Sequence, residues 1–168
     1  MILWVVREVK VKYENITMEC SKFETWLCPQ LNFCIPGYKL VRKGRVGTNG
    51  GGCGTFVKDG VTYREIVIDI LGECVVVEVW TQGGGLKVVN FYNPCNQLSL
   101  DDLNMIRIKA GGNLIWCGDF NAHNSLWGSI CTDNNGRVVE EFMEKYALVS
   151  LNNRMGTRFN IRDSSMEL

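Results

Sequence analysis

The chain carries no net charge, since 18 Lys and Arg are matched by 18 Asp and Glu, so no global positive field draws it to nucleic acid. Any such binding has to come from a local basic patch. Its eight cysteines include no Cys-x-x-Cys pair and mostly fall within apolar runs, which argues against a zinc site or a disulfide framework and for reduced core thiols. Cys53, Cys74, Cys95 and Cys117 are near-evenly spaced, but the residues around them do not repeat, so no solenoid is implied. No stretch approaches about 18 consecutive apolar residues, and the opening Met-Ile-Leu-Trp-Val-Val is too short for a signal core and has no basic segment before it. These absences point to an intracellular protein of the cytoplasm or nucleus that neither spans nor needs a membrane. The glycine cluster at 50–54 lacks the Gly-Lys-Ser/Thr ending of a nucleotide-binding loop. Histidine occurs once, at position 123.

What is present is ordinary for a globular domain: 168 residues, 46% apolar and 21% charged, with no interdomain linker, so residues 1–168 read as one domain. Alternation over residues 4–13 predicts a charged edge strand, and the first 22 or so residues are the least legible part. Residues 53–57 and 61–70, joined by Asp59-Gly60, predict a β-hairpin. Residues 74–80 and 86–92, joined by Gln82-Gly83-Gly84-Gly85, predict two more strands that extend it into an antiparallel meander. Ser99 followed by Asp101 and Asp102 predicts an N-cap and a helix of about three turns that stops near Gly111-Gly112. Val138, Val139, Phe142 and Tyr146 predict a second amphipathic helix over 137–146, and 147–151 a short strand.

The segment Asn113-Leu-Ile-Trp-Cys-Gly-Asp-Phe-Asn121 is where chemistry is best placed. Leu114 to Cys117 form the kind of apolar run that a sheet centre buries on both faces. Gly118 is expected to let the chain turn sharply at the strand end, leaving Asp119 and Asn121 at the rim of a rigid scaffold. A carboxylate there can hold a divalent cation or take a proton from water, and an amide can orient a phosphate oxygen without adding negative charge. Glu24 would bring a second carboxylate to a magnesium-type oxygen site, and Tyr92, beside Asn93, would offer a hydroxyl donor to a phosphate. A lone Asp after a strand is more commonly a turn former, and Tyr92 alone more commonly a half-buried strand aromatic. His123 tempts as a general base but reads better as a structural or substrate-side group. Lys39, Arg42, Lys43 and Arg45 form a basic run that serves equally as a solvated loop or as a contact to a phosphate backbone.

Taken in order, Glu24-Thr-Trp-Leu27, Gly37-Tyr38, Gly51-Gly-Cys-Gly-Thr-Phe-Val57, Asn90-Phe-Tyr-Asn-Pro94 and Gly118-Asp-Phe-Asn-Ala-His123 resemble the endonuclease/exonuclease/phosphatase family. The continuations Asn124-Ser-Leu-Trp-Gly-Ser129 and Thr132-Asp-Asn-Asn-Gly-Arg137 resemble its branch in non-long-terminal-repeat retroelement polyproteins. The likeness covers roughly residues 23–168. It implies an α/β (α+β) fold of DNase I type, a two-sheet β-sandwich flanked by helices, and a magnesium-dependent (or manganese-dependent) nick in DNA that primes reverse transcription. It assigns Glu24 to the metal, Asp119 to activation of the attacking water, Asn121 to orienting phosphate and Asp119, and Tyr92 to donation toward the phosphate. Asn93, His123, Arg42 and Lys43 then stand on the substrate side.

The departures set further expectations. The family opens with a strand ending in an asparagine at the metal site, and no convincing equivalent stands in the first 22 residues; Phe23 also replaces the usual glutamine. The family closes with a strand bearing an aspartate and then Ser-Asp-His, neither of which occurs within the 168 residues, so the fold is expected to be incomplete at its C-terminus. Asp163, in a polar stretch with no strand expected around it, is not a substitute. A missing general acid or base costs about 10²–10⁴-fold in rate. The expectation is therefore a retroelement endonuclease whose activity is weak or absent in this piece, with a non-catalytic relic or domesticated fragment binding nucleic acid or protein as the alternative. A small-molecule phosphoesterase is the third reading.

Overall fold

The computed structural model describes residues 34–44, 52–68, 73–81, 84–94 and 97–151, together with the backbone of five further strands at 2–5, 8–13, 16–21, 158–160 and 165–167. In chain order the strands are β1 (Ile2–Val5), β2 (Glu8–Tyr13), β3 (Ile16–Ser21), β4 (Tyr38–Lys43), β5 (Cys53–Lys58), β6 (Tyr63–Ile66), β7 (Glu73–Thr81), β8 (Gly84–Tyr92), β9 (Leu114–Asp119), β10 (Val149–Ser150), β11 (Arg158–Asn160) and β12 (Ser165–Glu167). Helix α1 (Leu100–Ala110) lies between β8 and β9, and α2 (Asn134–Lys145) between β9 and β10.

A six-stranded sheet runs β10-β1-β9-β8-β7-β6, and a four-stranded sheet runs β2-β3-β5-β4. The valine-rich β7 shows why they stack. Val75, Val77 and Val79 face Val41, Cys53 and Val57 of the four-stranded sheet, while Cys74 and Val76 face the helices, so alternate residues of one strand feed two cores. On the helical face, Leu103 and Ile106 of α1 and Val139 and Phe142 of α2 close over Val89, Phe91 and Trp116. The Trp116 and Phe142 rings meet edge to face at 5.1 Å. Asn90 crosses the other interface, its Nδ2 donating to the Gly54 carbonyl at 2.7 Å and to Thr55 Oγ1 at 3.3 Å.

The β7–β8 hairpin, the Ser99 cap (Oγ accepting from the Asp102 amide), the Gly111 stop and β9 all form as the sequence predicts. Helix α2 starts three residues before its predicted bound, because Asp133 caps it by accepting from the Gly136 amide at 2.6 Å.

Several expectations are corrected. Residues 4–13 are not one edge strand. β1 lies inside the six-stranded sheet, parallel to β9 and β10, and only β2 is an edge. The strands flanking Asp59-Gly60 do not pair with each other: the turn forms, with the Val61 amide donating to the Lys58 carbonyl, but β5 bonds β3 and β4 while β6 bonds β7, so the chain crosses between sheets there. The basic run lies partly on strand β4, not in a loop. Two of the cysteines, Cys34 and Cys131, are exposed, whereas Cys53, Cys74 and Cys117 are buried thiols as expected. Asp163 itself is outside the described residues, but β11 and β12 pair antiparallel on either side of it, so the stretch is not strandless.

Candidate active site

β9 ends on Asp119 and β8 on Tyr92, and the two are register partners in adjacent parallel strands. Partners in register project to the same side of a sheet. That side is fixed by Cys117, two residues before Asp119, which packs with Tyr92 in the core between the sheets. Asp119 and Tyr92 therefore stand together at one end of the six-stranded sheet, the carboxylate half-buried and the tyrosine buried.

Gly118 makes this approach, though not by turning the chain. It lies within β9 at φ +127°, and a Cβ at that position would fall 1.9 Å from the Phe91 carbonyl oxygen. The glycine lets two strands approach where a side chain would hold them apart. The turn comes later, at Asn121, which adopts left-handed backbone at φ 44°, a conformation asparagine tolerates better than most residues.

The two strand ends are laced together. The Asn93 amide donates to the Asp119 carbonyl at 2.8 Å, and Asn93 Nδ2 to the Phe120 carbonyl at 2.9 Å. Asn121 Nδ2 returns to the Asn93 carbonyl at 2.5 Å, and the Asn121 amide donates to Asp119 Oδ1 at 3.0 Å. The carboxylate is thus oriented before any ligand arrives, the preorganisation on which electrostatic catalysis depends. Asn93 is nearly fully buried, beneath the rim and not on it.

The loop that follows is braced from behind. Asn135 Nδ2 donates to the Asn121 carbonyl at 3.0 Å, and its Oδ1 accepts from the Leu98 amide at 2.8 Å. Asn124 caps the short 3-10 turn Ser125–Trp127 and donates to Glu140 Oε2 at 2.8 Å, while Trp127 Nε1 donates to the Ala122 carbonyl at 3.0 Å. His123 is exposed, with Nδ1 3.2 Å from Ser129 Oγ and its carbonyl accepting from the Asp133 amide. Asn135 and Asn124 were not singled out in the sequence. Both lie in segments quoted for the family resemblance, Asn124 to Ser129 and Thr132 to Arg137, but nothing local marks which of the polar residues there brace the loop.

In the four-stranded sheet, β4 divides the basic candidates. Val41 points into the core between the sheets, so Lys43 shares its face, and Lys43 Nζ donates to the Ile68 carbonyl at 3.2 Å. Arg42 is on the opposite face with Leu40, where both lie beside the Cβ position of Gly54. The Lys43 charge lowers the pKa of the Cys74 thiol, but burial dominates and pushes it up to about 12. Glu73, also missed in the sequence, is a buried carboxylate that opens β7 as the register partner of Tyr92 and accepts from the Gly52 amide.

Glu24, the expected metal ligand, and Arg45 lie outside the described residues. Among the described residues no three His, Cys, Asp or Glu side chains converge into a metal cage. The rim near Asp119 instead offers carboxylate, carboxamide and carbonyl oxygens. This donor set suits magnesium, which takes oxygen ligands, needs few from the protein and keeps several waters.

Two stacked sheets with helices over the larger one make a DNase I-like fold. Among solved structures it is similar to the endonuclease domain of TRAS1, a telomere-specific non-LTR retrotransposon, with a TM-score of 0.66 and 23% identity over 78% of this chain and 63% of that one. This chain therefore spans less than two thirds of that domain's length. Residues 86–166 match the endonuclease-reverse transcriptase family, which bears out the resemblance read from the motifs. No curated protein matches the chain. No helix among the described residues is long and apolar enough to cross a membrane.

Proposed function

We propose that the chain is a DNA-nicking endonuclease domain of a retroelement, working inside the cell by hydrolysis of a phosphodiester. The supporting observation is the pairing of Tyr92 with Asp119 at adjacent strand ends, cross-laced through Asn93 and Asn121. Asp119, held by the Asn121 amide, accepts the proton of the water that attacks phosphorus, while the bond from phosphorus to one sugar oxygen breaks and that oxygen leaves, taking a proton from solvent. Asn121 orients that carboxylate and faces a phosphate oxygen, and the Tyr92 hydroxyl donates to another. Asn93 fixes the turn that carries them; Lys43 and His123 contact the DNA backbone, and Arg42 reaches it from the outer face of its sheet. Magnesium or manganese, held by Glu24 in this reading, neutralises charge on the phosphoryl group when bound.

Nicking of supercoiled plasmid, with magnesium or with EDTA, tests the proposal. Asp119→Ala is expected to slow magnesium-dependent nicking by about 10²–10⁴-fold. Nicking that resists EDTA or ignores the substitution defeats the catalytic reading; binding of DNA without nicking points to a non-catalytic fragment. Preference for a phosphomonoester over plasmid points to a phosphoesterase.

A further inference from the structure

The hydrolytic roles leave one buried carboxylate at the rim without a task. Glu73 is 7% exposed, and its Oε2 accepts from the backbone amide of Gly52, which sits in left-handed backbone at φ +94° just ahead of β5. This contact joins the two sheets at the end where Tyr92, the register partner of Glu73, meets Asp119. Two residues deeper the sheets are joined again, by Asn90 to Gly54 and Thr55. Lys43, the register partner of Cys53, reaches from the four-stranded sheet to the Ile68 carbonyl. Among the described residues, the tie between the sheets level with the Tyr92–Asp119 pair is thus the Glu73 side chain accepting from a backbone amide. A core between sheets otherwise sets their separation through apolar side chains, which tolerate small sliding; a hydrogen bond of fixed reach does not.

We propose that Glu73 is a positioning residue. By holding the Gly52 amide it fixes the spacing of the two sheets level with Tyr92 and Asp119, and with it the placement of a phosphate against the Tyr92–Asp119 row. It does not touch the substrate. The inference rests on reading that rim as the hydrolytic site.

Two conservative variants of the full chain separate reach from charge. Glu73→Gln keeps the length and an acceptor oxygen but loses the charge; Glu73→Asp keeps the charge but is one methylene short of Gly52. Positioning predicts that Gln nicks plasmid within about threefold of wild type, while Asp falls tenfold or more in single-turnover rate with its DNA affinity, read by anisotropy in EDTA, within about threefold. Amide hydrogen exchange supplies a readout independent of activity. The Gly52 amide is expected to exchange slowly in wild type and in Gln, and at least tenfold faster in Asp. The opposite order, an active Asp and an inactive Gln, overturns positioning in favour of a charge role. Equal Gly52 exchange in all three proteins overturns it as well. If wild type does not nick at all, the proposed function fails, while the exchange arm still decides whether Glu73 holds the rim.

Discussion

Gly118→Ala tests whether the close approach of β8 and β9 shapes the site. Two costs are separable. The first is conformational: at φ +127° a residue with a Cβ is strained by roughly 1–3 kcal/mol. The second is steric: the new Cβ would lie 1.9 Å from the Phe91 carbonyl oxygen, a backbone atom that cannot rotate away, so the strands must part by about 1 Å. Parting them weakens the ladder bonds at Phe91–Gly118 and Tyr92–Asp119, each worth about 1 kcal/mol net. A loss of about 3–5 kcal/mol follows, a large share of the roughly 5–15 kcal/mol that holds a domain together. Gly60→Ala is the control, because Gly60 also has positive φ, at +88°, but nothing lies within 4 Å of its Cβ position, so only the strain applies. Urea unfolding measures both. Molecules that remain folded are expected to nick about 10²-fold more slowly, since a 1 Å misplacement of reacting groups costs about that much. A Gly118→Ala protein no less stable than Gly60→Ala would refute the argument.

Other outcomes follow from the same geometry. Cys34 and Cys131 are expected to react promptly with a thiol reagent at pH 8, and Cys53, Cys74 and Cys117 only on unfolding, as timed absorbance will show. Burial holds the Cys74 thiol neutral up to about 12 against an unperturbed 9.0, so its contribution to stability is intact below pH 9 and is lost as pH rises from there toward 12. Urea midpoints across that range, with Cys74→Ala showing a shallower decline, check the sign. Asn90→Ala, which leaves the Gly54 carbonyl without its inter-sheet donor, is expected to cost about 1–3 kcal/mol by chemical denaturation. Lys43→Ala is expected to lower the salt dependence of DNA binding by nearly one phosphate's worth, about 0.9 in slope, more than Arg42→Ala on the outer face, as titration at several salt concentrations will read.

The parts of the fold legible in sequence are those whose signals are local. The glycines after Gln82 announce the hairpin of β7 and β8, Ser99 and Gly111 bound α1, and the run Leu114 to Cys117 announces a strand buried on both faces. Sequence order obscured the pairing. Asp59-Gly60 is compatible with a hairpin, and only the partners, β3 and β4 for β5 and β7 for β6, show that it joins two sheets. β1 was hidden because its alternation runs into that of β2 with no turn signal between them. At the candidate site, the strand-end positions of Asp119 and Tyr92 were readable from the motifs, and their roles are part of the proposal. Glu73 was not readable, because a glutamate after a glycine reads as a strand's polar rim until Gly52 is seen to meet it. The division of Arg42 from Lys43 was available in the pleat, since adjacent strand residues face opposite ways, but it needed Val41 to be fixed in the core first.

The position of β1 bears on how the molecule assembles. Ile2 pairs with Ile115 on one side and Val149 on the other, so the strand beside β9 comes from far earlier in the sequence than either of its partners. Contacts of such sequence separation carry a large loop-closure cost and slow folding. Until β1 docks, β9 presents an open edge to other chains. Assembly of the site and protection from aggregation are then the same event, so dilution and low temperature during refolding should raise the yield of active protein more than any additive that acts on the finished fold.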